Sequence, residues 1–184
     1  MNDDAELIGG REPREILVVP HDSSWPDRFE IEHGRITRAL GDRVFRIDHV
    51  GSTSVPGLAA KPIVDIDLSV DDPEDENSYV PDLLEAGYLL RVREPAHRML
   101  RTPGTRCACA RLCCRQRVGT HPPAVSRLAT DQPGDCKLYA AVKEGLAGRL
   151  WPDMNDYAAA KTDVIADIIG RAERWSAETR WTPA

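Results

Sequence analysis

Several features are scarce or missing in this chain of 184 residues, and each absence closes off a class of function. No stretch approaches the roughly 18 consecutive apolar residues of a membrane span. The opening MNDDAELIGG is acidic and has no apolar centre, so a secretory leader is not expected either. Positive charge is also in deficit: 24 Lys and Arg stand against 30 Asp and Glu, a formal net charge of -6. That balance disfavours wholesale binding to nucleic acid or to an anionic membrane, although a local basic pocket stays open. Repeats and low-complexity tracts are lacking. The five cysteines do not have the paired C-x2-C spacing of common zinc sites, and Cys107, Cys109, Cys113 and Cys114 are too clustered for a secreted disulfide framework. These features together point to a soluble cytoplasmic protein.

What is present is ample apolar material, 41% of residues, enough for one core. Residues 1–15 are polar, hold Gly9-Gly10 and Pro13, and are expected as a flexible tail. A single domain is expected over 16–175, followed by a short tail over 176–184. Trp25, Phe29, Ile36 and Leu40 recur near helical spacing, with Ser23 and Ser24 as candidate caps, Pro26 in the first turn and Gly41 as a stop. Val44 to Ile47 and Ile63 to Val70 are expected as strands, the second alternating apolar residues with aspartates. A helix is expected from Pro73 to Ala86, ended by Gly87, and a strand from Tyr88 to Arg93. Two helices, Lys137 to Leu150 and Asn155 to Trp175, close the chain. Strands alternating with helices predict an α/β or α+β domain.

Chemistry concentrates between His49 and Asp67. Side chains alternate across a strand, so Asp65 and Asp67 point to one face, where their oxygens can share a hard divalent cation such as magnesium. Ahead of them, Gly51-Ser52 forms a turn. If it opens a helix, free backbone N–H groups and the Ser52 hydroxyl can receive a phosphate. Lys61, just before the aspartate strand, could neutralise that phosphate, though a solvated surface charge explains it too. Two alternating carboxylates can equally face solvent from a half-buried strand, and Ser52 can be an ordinary cap.

A Gly-Ser turn followed by Asp-hydrophobic-Asp on a strand resembles the nucleotidyltransferase superfamily, and the fuller run HVGSTSVPGLAAKPIVDIDLSV is similar to the GrpB-like family within it. The likeness extends from about Ile16 to Ile169. It implies a mixed sheet flanked by helices with further C-terminal helices, magnesium held by Asp65 and Asp67 as the catalytic carboxylates, and a nucleoside triphosphate at Gly51 and Ser52. It also marks the run Glu94-Pro95-Ala96-His97-Arg98, so His97 and Arg98 are expected to contact phosphate or an acidic substrate. Lys143, four residues after Tyr139, and the later Lys161 match the family as further triphosphate cations. A third carboxylate, usual on a later strand in this superfamily, has no counterpart, which weakens a two-metal reaction. The implied activity is nucleotidyl transfer to an unknown acceptor. A non-catalytic nucleotide-binding or regulatory module, or an interaction domain without nucleotide, remains an alternative reading.

One segment departs from the family pattern. From Thr105 to Gln132 the chain holds most of the cysteines and Pro122-Pro123, and shows no sustained period. The codons these residues permit, read one nucleotide later, can spell V-H-V-H-V-F-A-A over Cys107 to Cys114 and an amphipathic helix over Pro123 to Pro133. Residues of about 105 to 132 are therefore expected to be an out-of-frame stretch that packs poorly, against the alternative of a divergent loop.

Overall fold

The computed structural model describes residues 5–10, 17–103, 109–116, 141–142, 145–146, 160 and 162–179. Its framework is a six-stranded mixed sheet. In chain order the strands are β1 (Glu6–Leu7), β2 (Arg46–Val50), β3 (Ile63–Val70), β4 (Leu89–Glu94), β5 (His97–Arg101) and β6 (Cys109–Gln116). Across the sheet they run β1-β4-β5-β6-β3-β2. The β3–β6 pair is parallel and the other pairs are antiparallel. Among the described residues, helices α1 (Trp25–Leu40), α2 (Val80–Glu85) and α3 (Thr162–Thr179) accompany the sheet. The mixed sheet with helices is the architecture expected from the sequence.

The core forms on one face of β3. Val64, Ile66, Leu68 and Val70 are buried, while the residues between them are only half-buried. Ile36 and Leu40 of α1, Val80 and Leu83 of α2, and Tyr79, Tyr88 and Leu100 join them in one cluster. Helix α1 starts where the Ser24 amide donates to Asp22 Oδ1 at 2.9 Å, with Pro26 in the first turn. The cap residue Ser24 makes no side-chain cap bond, and the Asp22 carboxylate instead fixes the chain entering the helix by accepting from the Ser24 amide. Gly41, with φ of 55°, ends it. Arg43 then ties α1 to α2: its guanidinium donates to the carbonyls of Leu40, Ala39 and Ser78 and pairs with Asp82 at 2.6 Å.

The structure departs from the sequence expectations in several places. Residues of the expected N-terminal tail form β1, which pairs with β4, and Arg93 bonds Glu6 at 3.0 Å. Helix α3 runs to Thr179, beyond the boundary placed at 175. Val19 forms an isolated antiparallel bridge with Ala60. The helix expected from Pro73 is shorter, since a 3-10 turn at Glu76–Ser78 precedes α2.

The largest correction concerns 109–116. Where an unpaired stretch was expected, these residues form β6, paired with a neighbour on each side of it in the sheet. Ala110, Leu112 and Cys114 stand in register with Val64, Ile66 and Leu68. An interior strand that fills the place between β3 and β5 satisfies its backbone through both neighbours, and that pairing outweighs an imperfect alternation. Residues 104–108 and 117–132 lie outside the described residues.

Ile66 sits at the centre of this arrangement with no exposed surface. Ile66→Ala is expected to lower stability by about 2–5 kcal/mol, measured by urea denaturation.

Candidate functional site

Asp65 and Asp67 lie on the face of β3 opposite the core, each half-buried, as their two-residue spacing requires. The antiparallel neighbour β2 places Val50 opposite Asp65 and Asp48 opposite Asp67. Sequence reasoning missed Asp48. It is a third carboxylate in register with the pair, and only the strand pairing reveals it. Two carboxylates directly opposed across a strand pair repel. Arg46 offsets this, its Nε lying 2.5 Å from Asp48 Oδ2.

The chain enters the site through a tight turn. Gly51 has φ of 73° and ψ of -165°, a region essentially reserved for glycine. A Cβ built there would fall 2.8 Å from Asp65 Oδ2 and 3.3 Å from Asp65 Cβ. Gly51 is thus required twice, for its conformation and for the close approach of backbone to carboxylate. The residues that follow, Ser52–Ser54, form a 3-10 turn and not the start of an α-helix, which corrects the expectation of a helix N-terminus here. The Ser54 amide donates to Gly51 O at 3.3 Å and the Val55 amide to Ser52 O at 3.4 Å. In such a turn the amides of Ser52 and Thr53 precede the first internal bond, so the turn itself offers them no acceptor.

Behind the turn, Thr53 is buried and joins it to both strands. Its hydroxyl donates to Ile63 O at 3.2 Å and lies 3.0 Å from His49 Nε2. A hydroxyl has one proton, and where Thr53 gives it to the carbonyl, the hydrogen bond between the two side chains is donated from His49 Nε2. The ring of His49 stacks on Phe29 of α1, with centroids 5.0 Å apart. Burial lowers the His49 pKa from its ordinary value of 6.5, and the nearby Asp65 carboxylate opposes that shift.

Of the basic candidates, Lys61 is half-buried two residues ahead of β3. The cluster of His97, Arg98 and Arg101 divides between the two sheet faces, because β5 alternates: Arg98 and Leu100 are buried, and His97, Met99 and Arg101 are half-buried on the other side. Arg98 bonds Glu74 Oε2 and Glu76 Oε1, each at 2.6 Å, and the carbonyls of Glu94 and His97 at 2.7 and 3.0 Å. The arginines beside Glu74 and Glu76 hold both carboxyls below the ordinary carboxylate range, chiefly through hydrogen bonds from Arg98 and from Arg93 respectively. Arg98 is thus engaged by two carboxylates and by two carbonyls of the β4–β5 hairpin. His97 Nδ1 pairs with Glu94 Oε2 at 3.0 Å. Lys143 and Lys161 lie outside the described residues, as does Tyr139.

The residues present fit magnesium. That ion is commonly held by one or two carboxylates, with substrate phosphates and water filling its remaining positions, and Asp65 and Asp67 can supply such a pair. Among the described residues no group of three or more His, Cys, Asp and Glu is arranged to hold a metal by itself. No described helix is long and apolar enough to cross a membrane.

Comparison with known proteins gives a consistent family signal. The model of the GrpB protein family matches residues 15–171. A UPF0157 protein of Streptomyces coelicolor is 47% identical over 169 residues, covering 91% of this chain and 89% of that protein. The crystal structure of conserved protein GrpB from Enterococcus faecalis superposes with a TM-score of 0.75 at 25% identity, over 86% of this chain and 99% of that one. A dephospho-CoA kinase of Mycolicibacterium paratuberculosis is 29% identical over 198 residues, which span 91% of this chain but 48% of the kinase.

Two outcomes follow from the turn and its support. Gly51→Ala is expected to cost about 1–3 kcal/mol and to displace the Asp65 carboxylate; chemical denaturation gives the first and a crystal structure of the variant the second. Because burial lowers the His49 pKa in the fold, the unfolded chain binds the extra proton first as pH falls. Stability contributed by this residue is therefore intact above about 6.5 and declines as pH drops from there toward the lower folded value. Urea midpoints taken between pH 8 and 5 should fall less steeply for His49→Gln than for the unaltered protein.

Proposed function

This chain belongs to the GrpB family, and we propose that it binds a nucleoside triphosphate with magnesium at Asp65, Asp67 and the Gly51-Ser52 turn, transferring the nucleotidyl group to an acceptor hydroxyl. The observation that carries the proposal is the contact between turn and strand: the Gly51 backbone lies so close to the Asp65 carboxylate that no side chain fits between them. A phosphate-sized anion at the turn and a cation at the carboxylates would then be immediate neighbours.

In the reaction the acceptor oxygen attacks the α-phosphorus, the bond to the bridging oxygen breaks and pyrophosphate departs. Magnesium, when bound, supplies the positive charge that neutralises the phosphate oxygens as this happens. Asp65 and Asp67, on the half-buried face of β3, would hold the cation and through it orient the phosphate end of the substrate. The backbone amides of Ser52 and Thr53 and the Ser52 hydroxyl hold phosphate oxygens without reorganising, since the buried Thr53 pins the turn to Ile63. Lys61 adds charge from the segment leading into β3, and Lys143 and Lys161 are further candidates on the C-terminal part of the chain.

A second reading is a nucleotide-binding module without turnover. The match to the kinase favours it, since nearly all of this chain aligns with about half of that longer protein, as an added module would. Pyrophosphate release separates the two readings.

Calorimetry with each of the four common nucleoside triphosphates tests the site itself. Asp67→Asn, with folding verified, is expected to weaken magnesium-dependent binding by at least about tenfold, or about 1.4 kcal/mol. Binding with unchanged affinity and unchanged magnesium dependence would rule out Asp67 as a ligand.

A further inference from the structure

The division of β5 between two faces reassigns the basic residues around the site. Arg98 and Leu100 belong to the buried face, and Leu100 packs in the same cluster as Ile66. Asp65 and Arg101 both belong to the opposite face, each at a half-buried position. The registers connect them directly. Arg101 pairs with Arg111 across β5–β6, and Arg111 pairs with Asp65 across β6–β3. Asp65, Arg111 and Arg101 thus form one row across three strands. Adjacent strands lie about 4.8 Å apart, so the Cα atoms of Asp65 and Arg101 are separated by about 10 Å. A phosphate chain held at Asp65 lies within reach of a guanidinium anchored at that distance.

We propose that Arg101, not Arg98, is the β5 residue that binds the triphosphate at the Asp65/Asp67 site; this rests on the nucleotide reading above and assigns it a further phosphate-binding residue. A planar guanidinium forms paired hydrogen bonds to phosphate oxygens, a geometry that an ammonium cannot reproduce. Its position in the row sets it on the far side of β6 from the Gly51 turn, so the phosphates are gripped from two directions. Arg98, one strand position from His97 on the other face, is engaged by Glu74 and Glu76 and cannot turn toward the site without abandoning both. The difference between the two arginines follows from the strand period alone.

The test uses the full chain, with magnesium-ATP and magnesium-tripolyphosphate as probes in calorimetry. Arg101→Met, which keeps most of the aliphatic stem, is expected to weaken both probes by about tenfold or more, and Arg101→Lys to recover part of that loss. Arg98→Met is expected to lower the melting temperature while leaving affinity within about twofold. If Arg101→Met proves unstable, Arg101→Gln takes its place with the same expectation. Unaltered affinity in a folded Arg101 variant, while the parent protein binds and Asp67→Asn does not, overturns this inference and leaves the nucleotide site standing. An equal loss in Arg98→Met overturns the assignment of faces. Failure of the parent protein to bind either probe removes both the nucleotide reading and the role given to Arg101.

Discussion

Everything in this molecule is referred to the alternation along Ile63–Val70. One set of side chains, Val64, Ile66, Leu68 and Val70, builds the core, and the set between them carries Asp65 and Asp67. A slip of one residue would bury two carboxylates and expose four apolar side chains, so the hydrophobic effect fixes the register of the strand and, with it, the position of the charges. The strand is also bonded on both sides, to β2 and to β6. The carboxylates therefore inherit the rigidity of the core although they do not belong to it, which is what a site that must receive a charged ligand without rearranging requires.

The polar groups around this strand divide into those that support the fold and those that face the site. Arg43, Arg93 and Arg98 are drawn into carboxylates and carbonyls of the α2 and hairpin regions. Tyr88 is similar: buried at the core, it donates to Glu32, and burial and that carboxylate raise its pKa strongly. His49 is intermediate. It packs on Phe29 with the helix side of the molecule, yet through Thr53 it holds the turn whose glycine abuts Asp65. The link from core to site thus passes through one imidazole and one hydroxyl.

How much of this was legible in the sequence depended on the range of the interaction. Helix α1 and strand β3 emerged with their ends intact, because apolar period, Pro26 and Gly41 all act within a few residues. Gly51, Ser52, Asp65 and Asp67 were visible as a motif, and the turn does meet the strand. What could not be read were facts of pairing. Asp48 enters the site row only because β2 lies antiparallel to β3. Arg98 and Arg101 look alike in a linear basic cluster until β5 is given two faces. The strand at Cys109–Gln116 has a weak local signal and owes its place to the two neighbours between which it lies. Glu6–Leu7 is too short for any periodic signal, and it becomes a strand through β4.

That short first strand has a consequence for how copies of the protein meet one another. Without it, β4 would be an open border of the sheet, presenting unpaired amides and carbonyls to any extended chain. Glu6 and Leu7 cover this border, the Ile8 amide donates to Arg91 O at 2.9 Å, and Arg91 in turn reaches Gly10 O at 3.0 Å. The covering piece is itself brief and acidic and is fastened by the Glu6–Arg93 pair, so it offers little length and unfavourable charge for a further strand to add. The N-terminal residues act as a selvedge, finishing the sheet on that side and guarding it against edge-to-edge aggregation.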